Sequence, residues 1–417
     1  MFFKRGLKYL LPLALVSAFF LTACGSGGGG GNTGPNINYS GTITIWHGWQ
    51  GSYLAEKQAI FDAYHKLHPN VTITLVHQDN VVDKSIAAIN AGSGPDIIAW
   101  ADDSLGKLAQ SHIVVPLDSY ISKSFVDSTY NKAAAQGVEF NNHVWGVPEA
   151  VEAVTIMYNK SLVTADQLPK TTNDMLTFEQ NYEQAHPGNY GIVWPTQDAY
   201  YNAGWFYGSG TFYVHEDGKV GLNTPQGIAA ATFIASFKPS LPSQIDGGVA
   251  SSLFKEGKAA AIIDGPWAFA DYATSTNNNV GFATLPVVNS SNKAAQPFVG
   301  VKSLWVTKLS KNPALDADLM KFYTNASNQV AMAKANGEIP ANLAADNDAS
   351  VKALASVGGF AQQATLGTAL PNTPYMSALW KPVADALTAI WNGSQTPAAA
   401  MAAAQQAAEQ NIQQLGS

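Results

Sequence analysis

Thr42-Ile43-Thr44-Ile45-Trp46, Val71-Thr72-Ile73-Thr74-Leu75-Val76 and Asp96-Ile97-Ile98-Ala99-Trp100 are three β-branched, apolar runs within sixty residues. Such runs fit a pleated, buried surface and read as strands. Between the first two, Leu54, Ile60, Phe61, Tyr64 and Leu67 recur near helical spacing, and Pro69 closes the segment. Between the second and third, 81–91 can form a helix that Gly92-Ser93-Gly94-Pro95 breaks. Another helix is predicted near Ser104 to Ser111. Strand and helix alternating at this rhythm predict a mostly parallel sheet covered on both faces.

Outward from this stretch the theme continues without a fixed-period repeat, which excludes solenoids and propellers. Val151 to Tyr158 and Ala259 to Ile263 read as buried strands. Ile228 to Phe237, Ala314 to Ala335, Tyr375 to Ile390 and the Ala/Gln-rich Ala398 to Gln414 read as helices. The 417 residues suffice for two or three cores. The fold class expected is α/β.

The N-terminus reads as an address. Lys4, Arg5 and Lys8 precede an apolar run from Tyr9 to Phe20, closed by Leu21-Thr22-Ala23-Cys24. That is the pattern of a secretory signal over 1–23, too short for a membrane span. Residues 24–39 open on a Gly/Ser/Asn-rich tether. Cys24 is the only cysteine, so no intrachain disulfide is possible. Removing three positive charges and no acids takes the net charge from −7 to about −10. An acidic body without a Lys/Arg run argues against nucleic acid as a partner. Only 13% of residues are charged, roughly half the usual share. Few carboxylates would suit an acidic habitat, because their neutralisation would change the net charge little.

In open α/β sheets ligands bind beyond the carboxyl ends of the strands. There the sequence places His47-Gly48-Trp49-Gln50 and Trp100-Ala101-Asp102-Asp103. Further aromatic groups stand at Trp194 to Tyr201, Pro266-Trp267 and Tyr375 to Trp380. An indole covers the apolar C–H face of a pyranose while Asp, Glu and Gln pair with its hydroxyls. Trp46, Trp305 and Trp391 read instead as core. His65 and His68 could pin a metal from one helix turn, but no cysteine or second pair completes a ligand set. Glu152 with Asp198 or Asp103 could serve as a glycosidase pair or merely accept hydroxyls. No cofactor motif is complete; Gly257-Lys258 lacks the earlier glycine of a phosphate loop.

Seven ordered stretches carry a resemblance: Gly94 to Asp103 with Ala109-Gln110-Ser111; Val151-Glu152-Ala153 with Tyr158-Asn159-Lys160; Asp264-Gly265-Pro266-Trp267-Ala268; Pro297-Phe298-Val299-Gly300-Val301; and Pro371 to Trp380. The chain resembles the maltose-binding proteins of ABC importers, within the extracellular solute-binding proteins of family 1. Leu21 to Cys24 resembles a lipobox, implying a lipid on Cys24 and extracytoplasmic anchoring to the cell membrane.

The resemblance implies a periplasmic-binding-protein-like fold of type II, two α/β lobes joined by a multi-crossing hinge. Lobe one is expected over 40–149 plus 286–337 and lobe two over 150–285 plus 338–417. It further implies a monomer without catalysis, partnered by an oligosaccharide and by the permease subunits. Trp100, Trp267, Trp380 and Tyr200 match the family's stacking residues, with Tyr375 nearby. Asp103 and Glu152 match its carboxylates, and Asp198 stands where the family has Glu. Trp49-Gln50 replaces Asp-Lys, Ser104 replaces an Arg and Ala199 a Pro. The expectation is therefore a subsite that loses two cationic donors and gains an aromatic plane. Maltodextrin is the first ligand to consider; trehalose, sucrose, a galactoside or a cyclodextrin stay open, as does a secreted carbohydrate-active enzyme.

Overall fold

The computed structural model describes residues 37–415. The signal segment, Cys24 and most of the tether lie outside the described residues. The three opening strands form as expected, at Gly41–His47, Val71–His77 and Ile97–Ala101. Gly41–His47 pairs in parallel with both others. Ile43, Ile45, Ile97 and Ala99 are buried, so these strands hold one core face. The helix Gly51–Leu67 buries Tyr53, Ile60, Phe61 and Tyr64 at helical spacing.

The larger sheet is mixed rather than mostly parallel. Beyond Ile97–Ala101 come Phe298–Val306, Gly146–Glu152 and Ile339–Pro340, each antiparallel to its neighbour. Long excursions supply these strands, so no crossover helix constrains their direction. Thr368–Ala369 adds in parallel to Phe298–Val306. The second sheet runs Val280–Ala283, Thr155–Asn159, Ala259–Asp264, Tyr190–Val193, with only the last pair parallel. Both sheets belong to one body from Ile37 onward.

Three elements differ from their sequence reading. The run expected as one strand over Val151 to Tyr158 is two, Gly146–Glu152 in the larger sheet and Thr155–Asn159 in the smaller. Ala153 and Val154 between them are fully buried, so hydrophobicity never signals the crossing. The helix expected over Ala314 to Ala335 breaks into Pro313–Tyr323 and Ala326–Asn336. Asn325 caps the second half by accepting from the Asn328 N–H, the usual preference of an Asn side chain. The segment from Tyr375 begins as a 3-10 turn, Pro374–Ala378, and turns helical only at Trp380–Asn392. The short strands at 339–340 and 368–369 join the larger sheet, although the sequence boundaries give them to the second lobe.

A register irregularity shapes the site. Opposite Lys302 and Ser303 of one strand stand Ala150 and Pro148 of the other, leaving Glu149 over. In an unbroken strand residues three apart face opposite sides. The extra residue of a bulge resets that alternation. Glu149 and Glu152 therefore both reach the helix Gly51–Leu67, Glu149 at Lys57 and Glu152 at Tyr53.

Candidate functional site

Between the two sheets lies a cavity of about 750 Å³. Seven of the residues singled out from sequence line it: Trp100, Asp103, Glu152, Asp198, Tyr200, Trp267 and Trp380. Trp100 is the next-to-last residue of its strand, and the 3-10 turn Asp102–Ser104 follows at the carboxyl end. Glu152 ends Gly146–Glu152. Asp198 caps the helix Ala199–Ser209, accepting from the N–H groups of Tyr200 and Tyr201 at 2.7 and 3.2 Å. That cap engages one carboxylate oxygen and sets Tyr200 in the first turn. Trp267 sits in the first turn of Pro266–Ser275, behind Gly265 as cap and Pro266.

Two of the lining indoles lean over a glycine. A Cβ on Gly48 would stand 2.3 Å from the Trp100 ring, and one on Gly265 2.2 Å from the Trp267 ring. Asp264 holds the second turn in place, accepting from the Gly265 N–H at 2.8 Å and from the hydroxyls of Tyr201 and Tyr272 at 2.8 and 2.6 Å. The Tyr200 ring lies 6.1 Å from Trp267 and 6.4 Å from Trp380, tilted to both. Three half-buried aromatic faces thus meet around one space.

The polar groups are fixed by their partners. Trp380 donates its indole N–H to Asp103 at 2.8 Å. Burial pushes the Asp103 carboxyl up to about 6, against the lowering pull of that bond and of Lys302. Glu152 accepts from the Tyr53 hydroxyl at 2.9 Å, and burial raises its carboxyl while Lys302 lowers it. Burial and four neighbouring carboxylates raise the Tyr200 hydroxyl, which stays a donor at any working pH. Asp102, next to Asp103, turns inward and accepts from the Val301 N–H at 2.9 Å.

Three expected residues lie apart. Trp49 is only 5% exposed, stacked on His47 at 4.6 Å and packed against Phe61 and Tyr323. Its backbone N–H donates to the His47 Nδ1 atom, which folds the indole into the core. The first cavity thus gains no aromatic plane from it, contrary to expectation. Gln50 is exposed, within 3.0 Å of the His77 ring, and with Trp49 lines a second cavity of about 530 Å³. Tyr375 lines neither; its ring packs beside Gly218.

Lys302 is the residue that sequence reasoning missed. It directly follows the block Pro297 to Val301, but a lysine in a strand otherwise reads as solvated. Its Nζ lies 3.4 Å from Glu152, 5.2 Å from the Trp100 ring centroid and 5.8 Å from that of Trp267. Among the described residues no group of three or more His, Cys, Asp or Glu is placed to hold a metal. His65 bonds the Val71 carbonyl and His68 stacks on Tyr39, so the two do not converge.

A model of bacterial extracellular solute-binding proteins matches residues 59–358 of the chain. The chain is 28% identical to a maltotriose-binding protein of Pyrococcus abyssi over 84% of its own length and 78% of the relative's. It is 29% identical to a galactooligosaccharide-binding protein of Bacillus subtilis, over 77% of its length and 78% of the relative's. The maltose/maltodextrin-binding domain of Bdellovibrio bacteriovorus bound to maltotriose superposes with a TM-score of 0.84. That match is 25% identical and covers 89% of this chain and all of the other. The fold is accordingly the two-lobed α/β fold of that neighbour.

Proposed function

This chain belongs to the bacterial extracellular solute-binding proteins, and from that membership we propose that it captures maltodextrin-type oligosaccharides and hands them to an ABC permease. The observation that carries the reading is the cavity where Trp267, Tyr200 and Trp380 meet Asp103, Glu152 and Asp198. Aromatic faces take the C–H surfaces of pyranoses, and fixed carboxylates take the hydroxyls. The family is one of binding proteins, so these carboxylates are acceptors and not a catalytic pair.

Two lobes, expected over 40–149 with 286–337 and 150–285 with 338–417, would close on the sugar, the short strands at 339–340 and 368–369 going with the sheet of the first. The crossings after Glu152 and after Ala283 serve as hinge strands. Sugar touches both lobes only when they are closed, so it binds the closed form better and shifts the population. Cys24, in Leu21-Thr22-Ala23-Cys24, would carry a lipid that tethers the receptor to the membrane.

The galactooligosaccharide-binding relative keeps a galactoside as second reading. Tryptophan fluorescence of the mature protein, titrated with maltotriose, maltoheptaose and a galactooligosaccharide, decides between them. Saturation by the α-glucosides alone supports the first reading, and saturation by the galactoside alone replaces it. A folded protein silent to every sugar would sink both.

A further inference from the structure

We propose that Lys302 sets the length of ligand the receptor accepts, by standing as a cationic divider between two chambers; this rests on the sugar-binding reading above. The two cavities, of about 750 and 530 Å³, meet along a wall that both share: Trp100, Tyr201, Trp267 and Lys302. Three of these are aromatic surfaces that a sugar chain could follow from one chamber into the other. The fourth is a charged side chain suspended between two of them.

Its position is determined from three directions. The ammonium faces the Trp100 ring at 5.2 Å and the Trp267 ring at 5.8 Å, within reach of the cation–π attraction of each. The buried Glu152 carboxylate lies 3.4 Å away. The backbone at Lys302 sits at the register irregularity opposite Ala150 and Pro148, a device that re-aims side chains beside sites. Among the described residues no other cation lines both chambers. Lys107 and Lys381 of the first are already paired, with Asp83 and Asp385 at 2.9 and 2.7 Å, and line only that chamber. Lys255 of the second belongs to the helix Gly247–Lys255 and lines only that chamber.

An oligosaccharide in the first chamber therefore ends against Lys302, whose three N–H donors can meet a terminal hydroxyl. A longer chain passes only by lifting the ammonium from both indoles and from Glu152, leaving that carboxylate buried without its cation. Short chains avoid this cost.

The test compares the mature wild-type protein with K302A and K302M, measuring affinities for maltose through maltoheptaose by calorimetry, each variant first shown to melt cooperatively. K302A removes both charge and stem and opens the passage; its maltoheptaose-to-maltotriose affinity ratio should rise by roughly tenfold, about 1.4 kcal/mol. K302M keeps a stem of similar length without the charge, so its ratio should rise less than that of K302A. Ratios equal to wild type in both variants overturn the divider, even though sugar binding stands. Wild-type protein that binds no maltodextrin removes the receptor reading itself, and the divider with it.

Discussion

The indole N–H of Trp380 donates to Asp103 at 2.8 Å, tying the first turn of Trp380–Asn392 to the turn that follows strand Ile97–Ala101. One bond thus joins a stacking surface to a hydroxyl acceptor, and the acceptor titrates at about 6. Hydrogen bonds to a charged acceptor are roughly twice as strong as neutral ones. Sugar should therefore bind the ionised form better, and affinity should fall as pH drops through about 6. W380F keeps an aromatic face but loses the donor that holds Asp103 down, so the midpoint should move up; W380A should weaken binding by about 1–3 kcal/mol. Affinities from pH 4.5 to 8 check this. A wild-type profile as flat as that of D103N would remove Asp103 from the site.

Stability should run the other way with pH. Burial pushes the carboxyls of Glu179 and Asp316 up to about 7 and that of Asp103 to about 6. Glu179 accepts from the Ile192 N–H at 2.7 Å with one oxygen, and its other oxygen is buried without a partner. A carboxyl raised in the fold binds its proton more tightly folded than unfolded. Its contribution is full below the unfolded value near 4.3 and is lost as pH rises through about 7. The unliganded protein should melt at a higher temperature at pH 5 than at pH 8, and E179Q should shrink that difference. Melting temperatures that fall steadily from pH 8 to pH 5 would contradict both this account and the acidic-habitat reading of the low charge content.

Lys57 is fully buried and paired with Glu149 and, at 2.7 Å, with Glu338. Glu149 is the leftover residue of the register irregularity, and Glu338 precedes the short strand Ile339–Pro340. K57M leaves two carboxylates without their cation and should cost about 3–5 kcal/mol, the scale for breaking a buried pair. Adding E149Q and E338Q to K57M should recover much of that loss, because no uncompensated charge then stays buried. Urea denaturation of the single and triple variants measures both. A single variant within 1 kcal/mol of wild type would mean that the cluster is not held as described.

What the sequence makes legible follows how local each signal is. The three parallel strands announce themselves because Ile43, Ile45, Val71, Ile97 and Ile98 combine β-branching with burial. Glycine, proline and a caged tryptophan also travel together, so Asp264 to Trp267 points to a site element from the sequence. Long-range effects leave no such trace. Trp49 stands near the carboxyl end of a strand as Trp100 does, yet the His47 ring and the distant Tyr323 take it into the core. The crossing at Ala153-Val154 hides within a run that is apolar on both sides. Lys302 acquires its role from Trp100, Trp267 and Glu152, all remote in sequence.

The glycines beneath the indoles give the sharpest test of how the stacking surfaces are held. Gly265 has φ −104°, a backbone that alanine adopts freely, so the effect of G265A is steric alone. Its Cβ would lie 2.2 Å from the Trp267 ring, far inside contact distance, and the indole must leave its place between Tyr200 and Lys302. Overpacking of this kind costs about 1–3 kcal/mol in stability, and the displaced ring should weaken sugar binding more than tenfold. Gly358 offers the matched control. It lies within the helix Ala355–Ala364 with nothing within 4 Å of a Cβ, so G358A should raise stability by about 0.5–1 kcal/mol and leave binding untouched. Calorimetric melting and sugar titration of both variants separate the two effects. Equal affinities for G265A and wild type would show that the Trp267 face contributes nothing to the ligand.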